Sequence, residues 1–96
     1  MAVYVIVDVE VTDEKAYADY RAGTAATIQQ YGGEFVVRAG KVEPVEGDWN
    51  PKRIVVLKFK DFEAAHRWHD SPEYAPLLAI RKKAAKSKMI MVEGVS

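Results

Sequence analysis

The sequence predicts an α+β fold of the ferredoxin-like type, in which an antiparallel sheet has helices on one face. The first observation is the order of the segments: strand, helix, strand, strand, helix, strand, as in a split βαβ unit. The second is that every strand-like segment is apolar on both faces, whereas a sheet with one wet face alternates apolar and polar residues. The helices can cover only one face. We therefore expect a homodimer whose two sheets pack face to face and enclose a cavity.

The strands are predicted from short apolar runs bounded by charged or turn-forming residues. They are expected at Val3–Val11, Glu34–Arg38, Arg53–Lys60 and Lys88–Glu93. Ala39 and Gly40 end the second strand, and Lys41–Glu46 is expected to continue as an edge strand or arm.

Side chains along a strand alternate between the two faces of the sheet. In the first strand, the set expected to face the helices is Val3, Val5, Val7 and Val9. The set expected to face the dimer partner is Tyr4, Ile6, Asp8 and Glu10, together with Ile54, Val56, Met89 and Met91. Without a partner, the apolar members of this second set would form a large exposed patch. They are Tyr4, Ile6, Ile54, Val56, Met89 and Met91.

The helices are predicted from capping signals. Asp13 is expected to cap a first helix from Glu14 to Tyr31, which ends at a pair of glycines. Asp61 is expected to cap a second helical region, formed by Phe62–Asp70 and, after a turn that begins at Ser71 and Pro72, by Leu77–Ala85. The region is expected in two pieces because Pro76 has no backbone N–H to donate.

The composition restricts the possible classes of function. With 96 residues we expect a single domain over residues 1–96. A net charge of zero without a basic block argues against a nucleic-acid partner. The absence of cysteine excludes disulfides and thiolate chemistry. No basic leader precedes the first strand and no apolar run is long enough to span a membrane, so we expect a soluble cytoplasmic protein without a membrane partner.

The first helix has a stripe of side chains that is rich in hydroxyl groups. Its members are Tyr17, Tyr20, Thr24, Thr27, Ile28 and Tyr31, which share one face at 100° per residue. One interpretation is amphipathic packing with the phenol tips reaching water. The other is that a tyrosine, Tyr20 in the first place, directs its hydroxyl at a ligand.

Arg81 is out of place on the last helical segment, because the face that it shares with two leucines and two alanines is otherwise apolar. An unpaired buried guanidinium is too costly, so it must meet a carboxylate or an anion. The two alternatives are a structural ion pair, with Glu73, Glu93 or another carboxylate as the partner, and an anchor for an anionic substrate.

The strands contribute a second, weaker set of polar residues. If the first and third strands are parallel neighbours, Asp8 and Lys58 can pair near their carboxyl ends, either as a catalytic pair or as an ordinary salt bridge. Arg38 is expected to emerge at the opposite end of the sheet.

His66 and His69 are the only histidines of the chain. Their spacing, with Glu63 and Asp70 nearby, matches no zinc motif, so no metal is expected. The chain has no Gly-x-Gly-x-x-Gly motif and no Walker loop, so no other cofactor is expected either. His69 falls inside the edge of the packed helical face, where it is either a core histidine or a general base.

Several segments together resemble one known family. They are Tyr20, Tyr31–Arg38, the loop Glu46–Trp49, Phe59–Ala65, Ser71–Tyr74, Arg81 and the closing Val92–Gly94. On these residues the chain resembles the domain-of-unknown-function family numbered 1330, in the dimeric α/β-barrel superfamily. The resemblance implies a ferredoxin-like protomer in a homodimer. It also implies relatives in the superfamily that include cofactor-free monooxygenases, lactone isomerases and haem enzymes. Two positions depart from the family: Ala39 stands where glycine is usual, and His69 where tyrosine is frequent.

Two functions are compatible with these residues. The first is a cofactor-independent enzyme, an isomerase or monooxygenase-like protein, that acts on a small anionic or phenolic metabolite. In that enzyme Arg81, Arg38 and Asp8 would contact the substrate, and Tyr20, Tyr74 or His69 would move a proton. The second is a non-catalytic module for ligand binding or dimerisation, in which the same groups are structural.

Overall fold

The computed structural model describes residues 1–95 as one four-stranded antiparallel sheet with three helices on one face. The elements are β1 (Val3–Val11), α1 (Glu14–Gln30), β2 (Glu34–Arg38), β3 (Ile54–Phe59), α2 (Phe62–His69), α3 (Ala75–Ala84) and β4 (Ala85–Glu93). The strand order across the sheet is β2-β3-β1-β4. The prediction of a ferredoxin-like α+β fold is confirmed.

The sheet corrects the predicted direction of the third strand. β1 pairs with β3 in antiparallel register, not parallel. The reason is the connectivity: the crossover through α1 returns β2 parallel to β1, and the β2–β3 connection then reverses the chain. Tyr4 therefore lies opposite Lys58, and Asp8 lies opposite Ile54. Asp8 and Lys58 stand at opposite ends of the strand pair, so the predicted contact between them is wrong.

The same register corrects the position of Arg38. It pairs with Val55, next to the Ile54 that lies opposite Asp8, so Arg38 stands at the same end of the sheet as Asp8. An irregularity in the ladder between Phe35 and Val37 lets both Phe35 and Arg38 face the helices.

The two faces of β1 are as predicted, whereas the faces of β4 are reversed. Val3, Val5, Val7 and Val9 are buried under the helices, and Tyr4, Ile6 and Asp8 are half-buried on the outer face. In β4, Met91 and Met89 lie beside Val5 and Val7 on the helix side. The exposed apolar residues on the outer face are Ile90 and Val92 instead. The strand begins at Ala85, before Lys88, because it follows α3 directly, and no turn residue at this point indicates its register.

The predicted helix caps are present. The carboxylate of Asp13 accepts a hydrogen bond from the backbone N–H of Ala16, at 3.1 Å, and that of Asp61 accepts one from Ala64, at 2.8 Å. The Ser71 hydroxyl accepts from the Tyr74 N–H at 3.1 Å. α3 begins at Ala75 because Pro76 lies in its first turn, where a missing N–H costs nothing.

Residues 41–46, predicted as an edge strand or arm, form no strand. Ala39, which precedes them, has a φ of 55°, in the left-handed region that favours glycine. The chain therefore turns away from the sheet at this point.

The core joins the three helices to the sheet through aromatic rings. Trp68 packs 4.3 Å from Tyr74 and 5.7 Å from Phe59, between ring centroids. Its Nε1 donates to the hydroxyl of Thr27 at 3.1 Å, which ties α2 to α1. Within the described residues no helix has the length and apolar character needed to cross a membrane.

Candidate functional site

A cavity of about 60 Å³ lies between α1 and the helix-facing side of the sheet. This volume exceeds the requirement of a single water molecule. Its apolar wall is formed by the sheet and the core, namely Val7, Val9, Val55, Leu57, Met89, Phe35, Ile28 and Trp68. Its polar wall consists of Tyr17, Tyr20, Thr24, Arg21, Arg38, Arg53 and Arg81. Among the described residues, therefore, four arginines and no carboxylate line this cavity.

α1 contributes the tyrosines because the helical period places Tyr17, Tyr20 and Thr24 on its inner face. Tyr17 and Tyr20 are almost completely buried, so the interpretation in which their phenol tips reach water is wrong. The Thr24 hydroxyl turns back to donate to the Tyr20 carbonyl oxygen at 2.6 Å. The stripe predicted from the sequence is thus both a packing face and part of a cavity wall.

Tyr20 and Tyr74 are in direct contact through their hydroxyl groups, 2.6 Å apart. Tyr74 is fully buried and reaches the cavity only through Tyr20. Burial raises the pKa of Tyr20 far above its ordinary value, and the neighbouring Tyr74 adds to the shift. Burial also raises the pKa of Tyr74, whereas Arg81 opposes that shift. Both phenols are therefore neutral near pH 7 and act as hydrogen-bond donors.

Arg81 is 5% exposed, and no carboxylate of the described residues lies within 4.0 Å of its guanidinium. The guanidinium donates to the Ser87 hydroxyl, but its buried Nε has no hydrogen-bond partner among the described residues. Glu73, one of the two expected ion-pair partners, instead accepts from the Tyr31 hydroxyl at 2.6 Å and from the Gln30 amide at 3.1 Å. Among residues 1–95, therefore, the buried charge has no carboxylate as counter-ion.

Three further arginines line the cavity closer to solvent. Arg21 and Arg38 are exposed, and Arg53 is half-buried. The sequence analysis identified Arg38 but missed Arg21 and Arg53. The signal for Arg53 was the alternation of β3, which places it on the same face as Val55 and Leu57. Arg21 follows Tyr17 by one helical turn and has no comparable signal.

Two other predicted site residues lie outside the cavity. The His69 ring is 5.9 Å from the Tyr74 ring, but His69 borders a separate surface cleft with Phe62, His66 and Met91. Its Nδ1 lies 3.3 Å from a carboxylate oxygen of Asp70. Asp8 is on the outer face of the sheet, where it accepts from the Trp49 indole N–H at 2.9 Å. The structure therefore brings together Tyr20, Tyr74, Arg81 and Arg38, without His69 or Asp8.

The chemistry available in the cavity is that of a site for an oxyanion. A guanidinium and neutral phenol groups are donors that stabilise negative charge on oxygen, most strongly where water is excluded. Tyr17 and Tyr20 are the cavity-lining groups, within the described residues, that can exchange a proton. Burial raises the pKa of Tyr17 as well, against the opposing charges of Arg53, Arg81 and Arg21.

Comparison with known families and structures gives a family but no established activity. A model of the family described as "Domain of unknown function (DUF1330)" matches residues 2–95. No curated protein matches the chain. A protein of unknown function from Rhodopseudomonas palustris, RPA0582, is similar with a TM-score of 0.79 and 16% identity, over 99% of this chain and 83% of that one.

Two similar structures have names that describe an activity. SnoaB, a cofactor-independent oxygenase from Streptomyces nogalater, has a TM-score of 0.66 and 16% identity, over 99% of this chain and 94% of that one. A candidate antibiotic biosynthesis monooxygenase from Nitrosomonas europaea has a TM-score of 0.62 and 15% identity, over the full length of both chains. At this identity the likeness establishes the shared ferredoxin-like fold and nothing further.

Proposed function

The chain belongs to the DUF1330 family, and we propose from its cavity that it binds a small anionic or phenolic metabolite and acts on it as a cofactor-independent enzyme. In this proposal Arg81 holds the negative oxygen of the substrate. Tyr20 donates a hydrogen bond to the same oxygen, and Tyr74 holds the Tyr20 hydroxyl in place.

The observation that supports the proposal most strongly is the buried guanidinium of Arg81, which has no carboxylate neighbour and an unsatisfied Nε among the described residues. A buried charge without a counter-ion costs several kcal/mol in typical proteins, and an unsatisfied buried N–H adds roughly 1–3 kcal/mol. A purely structural residue at this position would be expected to have a carboxylate neighbour. An anionic ligand that enters the cavity would supply both the counter-charge and the missing acceptor.

The reaction classes that fit are those in which negative charge develops on an oxygen of the substrate. Isomerisation through an enolate is one, because it needs only proton transfer. Oxygenation of an electron-rich phenolate is another, with dioxygen as the second substrate. SnoaB, a cofactor-independent oxygenase, shares this fold, and this analogy supports oxygenation as a reaction class.

A second candidate function is ligand binding without catalysis. It is favoured by the raised pKa values of Tyr17 and Tyr20, which leave the cavity wall without a group that titrates near neutral pH. Product formation distinguishes the two functions, because both predict that anions bind.

We also propose that the protein is a homodimer through the outer face of the sheet. Val37, Ile90 and Val92 are 37%, 59% and 43% exposed on that face, next to the half-buried Ile6 and Val56. An apolar surface of this kind is typical of a protein–protein interface.

A thermal-shift screen of carboxylates and phenols, each paired with its neutral methyl ester or ether, tests the proposed function. We expect an acid such as 4-hydroxybenzoate to raise the melting temperature more than its methyl ester, because only the acid provides the anion for Arg81. Equal shifts for acids and esters would contradict the proposal. For each ligand found, NMR of the mixture with and without dioxygen shows whether a product appears in proportion to the protein added.

A further inference from the structure

The three arginines near solvent, Arg21, Arg38 and Arg53, are held against aromatic rings of the cavity. The guanidinium carbon of Arg53 lies 5.4 Å from the centroid of the Tyr17 ring, and that of Arg21 lies 5.6 Å from the same centroid. The guanidinium carbon of Arg38 lies 4.3 Å from the centroid of the Phe35 ring. These cation–π contacts fix the positions of the charges at the entrance.

The entrance has an excess of positive charge. Within the described residues, no carboxylate lies within 4.0 Å of Arg38 or Arg53, and Arg21 has only the exposed Glu14, at 3.9 Å. The chain has 14 acidic and 14 basic residues, so composition does not explain the absence of acids here. The like charges of these arginines repel one another, and an anion bound among them would reduce that repulsion.

Burial separates this entrance from the inner site. Arg81 is 5% exposed, whereas Arg38 and Arg21 are exposed. Both sets of arginines line the same cavity, whose apolar wall includes Val55, Leu57 and Phe35. A ligand that fits such a cavity has one anionic group inside, an apolar middle and a second anionic group at the entrance.

We propose that the natural ligand is a dianion, a dicarboxylate with a short apolar spacer, whose outer carboxylate binds Arg38 and Arg53. This inference rests on the proposed function, since it assumes that Arg81 holds the inner anion. Arginine suits the outer position because its planar guanidinium matches the two oxygens of a carboxylate.

Isothermal titration calorimetry with diacids and their monomethyl esters tests the inference. The probes are succinate, glutarate, adipate and pimelate, each compared with its monomethyl ester. We expect one spacer length to bind best, and its diacid to bind about tenfold more tightly than its monoester, a difference of about 1.4 kcal/mol. The advantage should shrink as salt is added, because the entrance is open to solvent.

The double variant Arg38→Gln/Arg53→Gln should reduce the diacid to the affinity of the monoester. Arg67→Gln, an exposed arginine on α2 outside the cavity, is the matched control and should retain the tenfold difference. Equal binding of diacid and monoester by the wild type would overturn the inference. So would an advantage that persists in the double variant, or a series in which no member binds.

The variant Arg81→Met separates this inference from the proposed function. If the monoester still binds to Arg81→Met as to the wild type, the inner anion site is wrong and both proposals fail. If Arg81→Met loses the monoester but the entrance arginines make no difference, only the dianion inference fails. If the thermal-shift screen finds a monoanion that binds and no diacid binds, again only the dianion inference fails.

Discussion

The hydroxyl oxygens of Tyr20 and Tyr74 lie 2.6 Å apart, although 54 positions separate the two residues in the chain. The contact joins the middle of α1 to the turn before α3, and it is buried. When Tyr74 is the donor in this contact, the Tyr20 hydroxyl keeps its own proton for a ligand in the cavity, and the contact restricts its rotation.

This tyrosine pair predicts a loss of stability in alkali. The pKa of Tyr20 is raised by burial above its ordinary value of 10.0, so the unfolded chain releases its proton first as the pH rises. The stability that the buried Tyr20 phenol contributes is therefore fully present below pH 10.0 and is lost as the pH rises above this value. Tyr20→Phe should therefore reduce the fall in unfolding free energy at alkaline pH. At neutral pH it should lower the unfolding free energy by roughly 1–3 kcal/mol, because Tyr74 loses this hydrogen-bond partner.

Urea unfolding as a function of pH measures both effects. Tyr4→Phe, on the outer face of the sheet, is the control for removing a phenol elsewhere. An alkaline limb of the same steepness in Tyr20→Phe and in the wild type would show that Tyr20 is not responsible for it.

The hydrogen bond that Glu73 accepts from Tyr31 predicts a loss of stability in acid. The hydrogen bond from Tyr31 holds the pKa of this carboxyl below its ordinary value of 4.5. The unfolded chain therefore takes up its proton first, and the stability that this contact contributes is lost as the pH falls below 4.5. Glu73→Gln should flatten this part of the curve, whereas Glu43→Gln, an exposed residue of the loop, should not. Identical acid curves for Glu73→Gln and the wild type would contradict the assignment.

The cap of α2 gives a prediction about stability alone. Asp61→Ala removes the acceptor of the Ala64 N–H and should cost about 1 kcal/mol. Asp19→Ala, at an exposed position within α1, should cost less because no cap is lost. Chemical denaturation gives both values, and ligand affinity should be unchanged in both variants. An unchanged midpoint for Asp61→Ala would count against the cap.

The homodimer is tested by light scattering at micromolar concentration. We expect a mass of about twice 10.8 kDa for the wild type, since burial of the outer face stabilises the pair. Ile90→Lys places a charge on that face and should give a monomer. Ala26→Lys, on the exposed side of α1, should remain a dimer. A well-folded wild-type monomer under these conditions would contradict the proposed interface.

Local signals in the sequence predicted the elements well, since capping and turn residues mark them directly. Asp13 and Asp61 located the starts of α1 and α2, and the paired glycines located the end of α1. β1 and β2 have their predicted bounds. The direction of β3 was wrong because it depends on how the crossover and the β2–β3 connection combine, which no single segment encodes.

The site was predictable only in part, for a related reason. Arg81 stands out in the sequence because it interrupts the apolar face of its helix, and Tyr20 because it belongs to a stripe that is rich in hydroxyl groups. The contact between Tyr20 and Tyr74, and the placement of Arg53 against Tyr17, depend on packing between distant segments. His69 looked equivalent to Tyr20 as a polar residue on a packed face, but it borders a separate cleft and does not line the cavity.

The most direct test of the anion site is the thermal stability of Arg81→Met with and without the best acid from the screen. Methionine retains the apolar stem and removes the charge and the donors. Arg67→Met, the same substitution at an exposed position of α2, is the control. Because no carboxylate of the described residues pairs with Arg81, we expect the ligand-free variant to be as stable as the wild type or more stable, and to lose the ligand-induced shift. Two results would contradict the proposed anion site. One is destabilisation of the ligand-free variant by about 3–5 kcal/mol, as when a buried ion pair is broken. The other is a ligand-induced shift equal to that of the wild type.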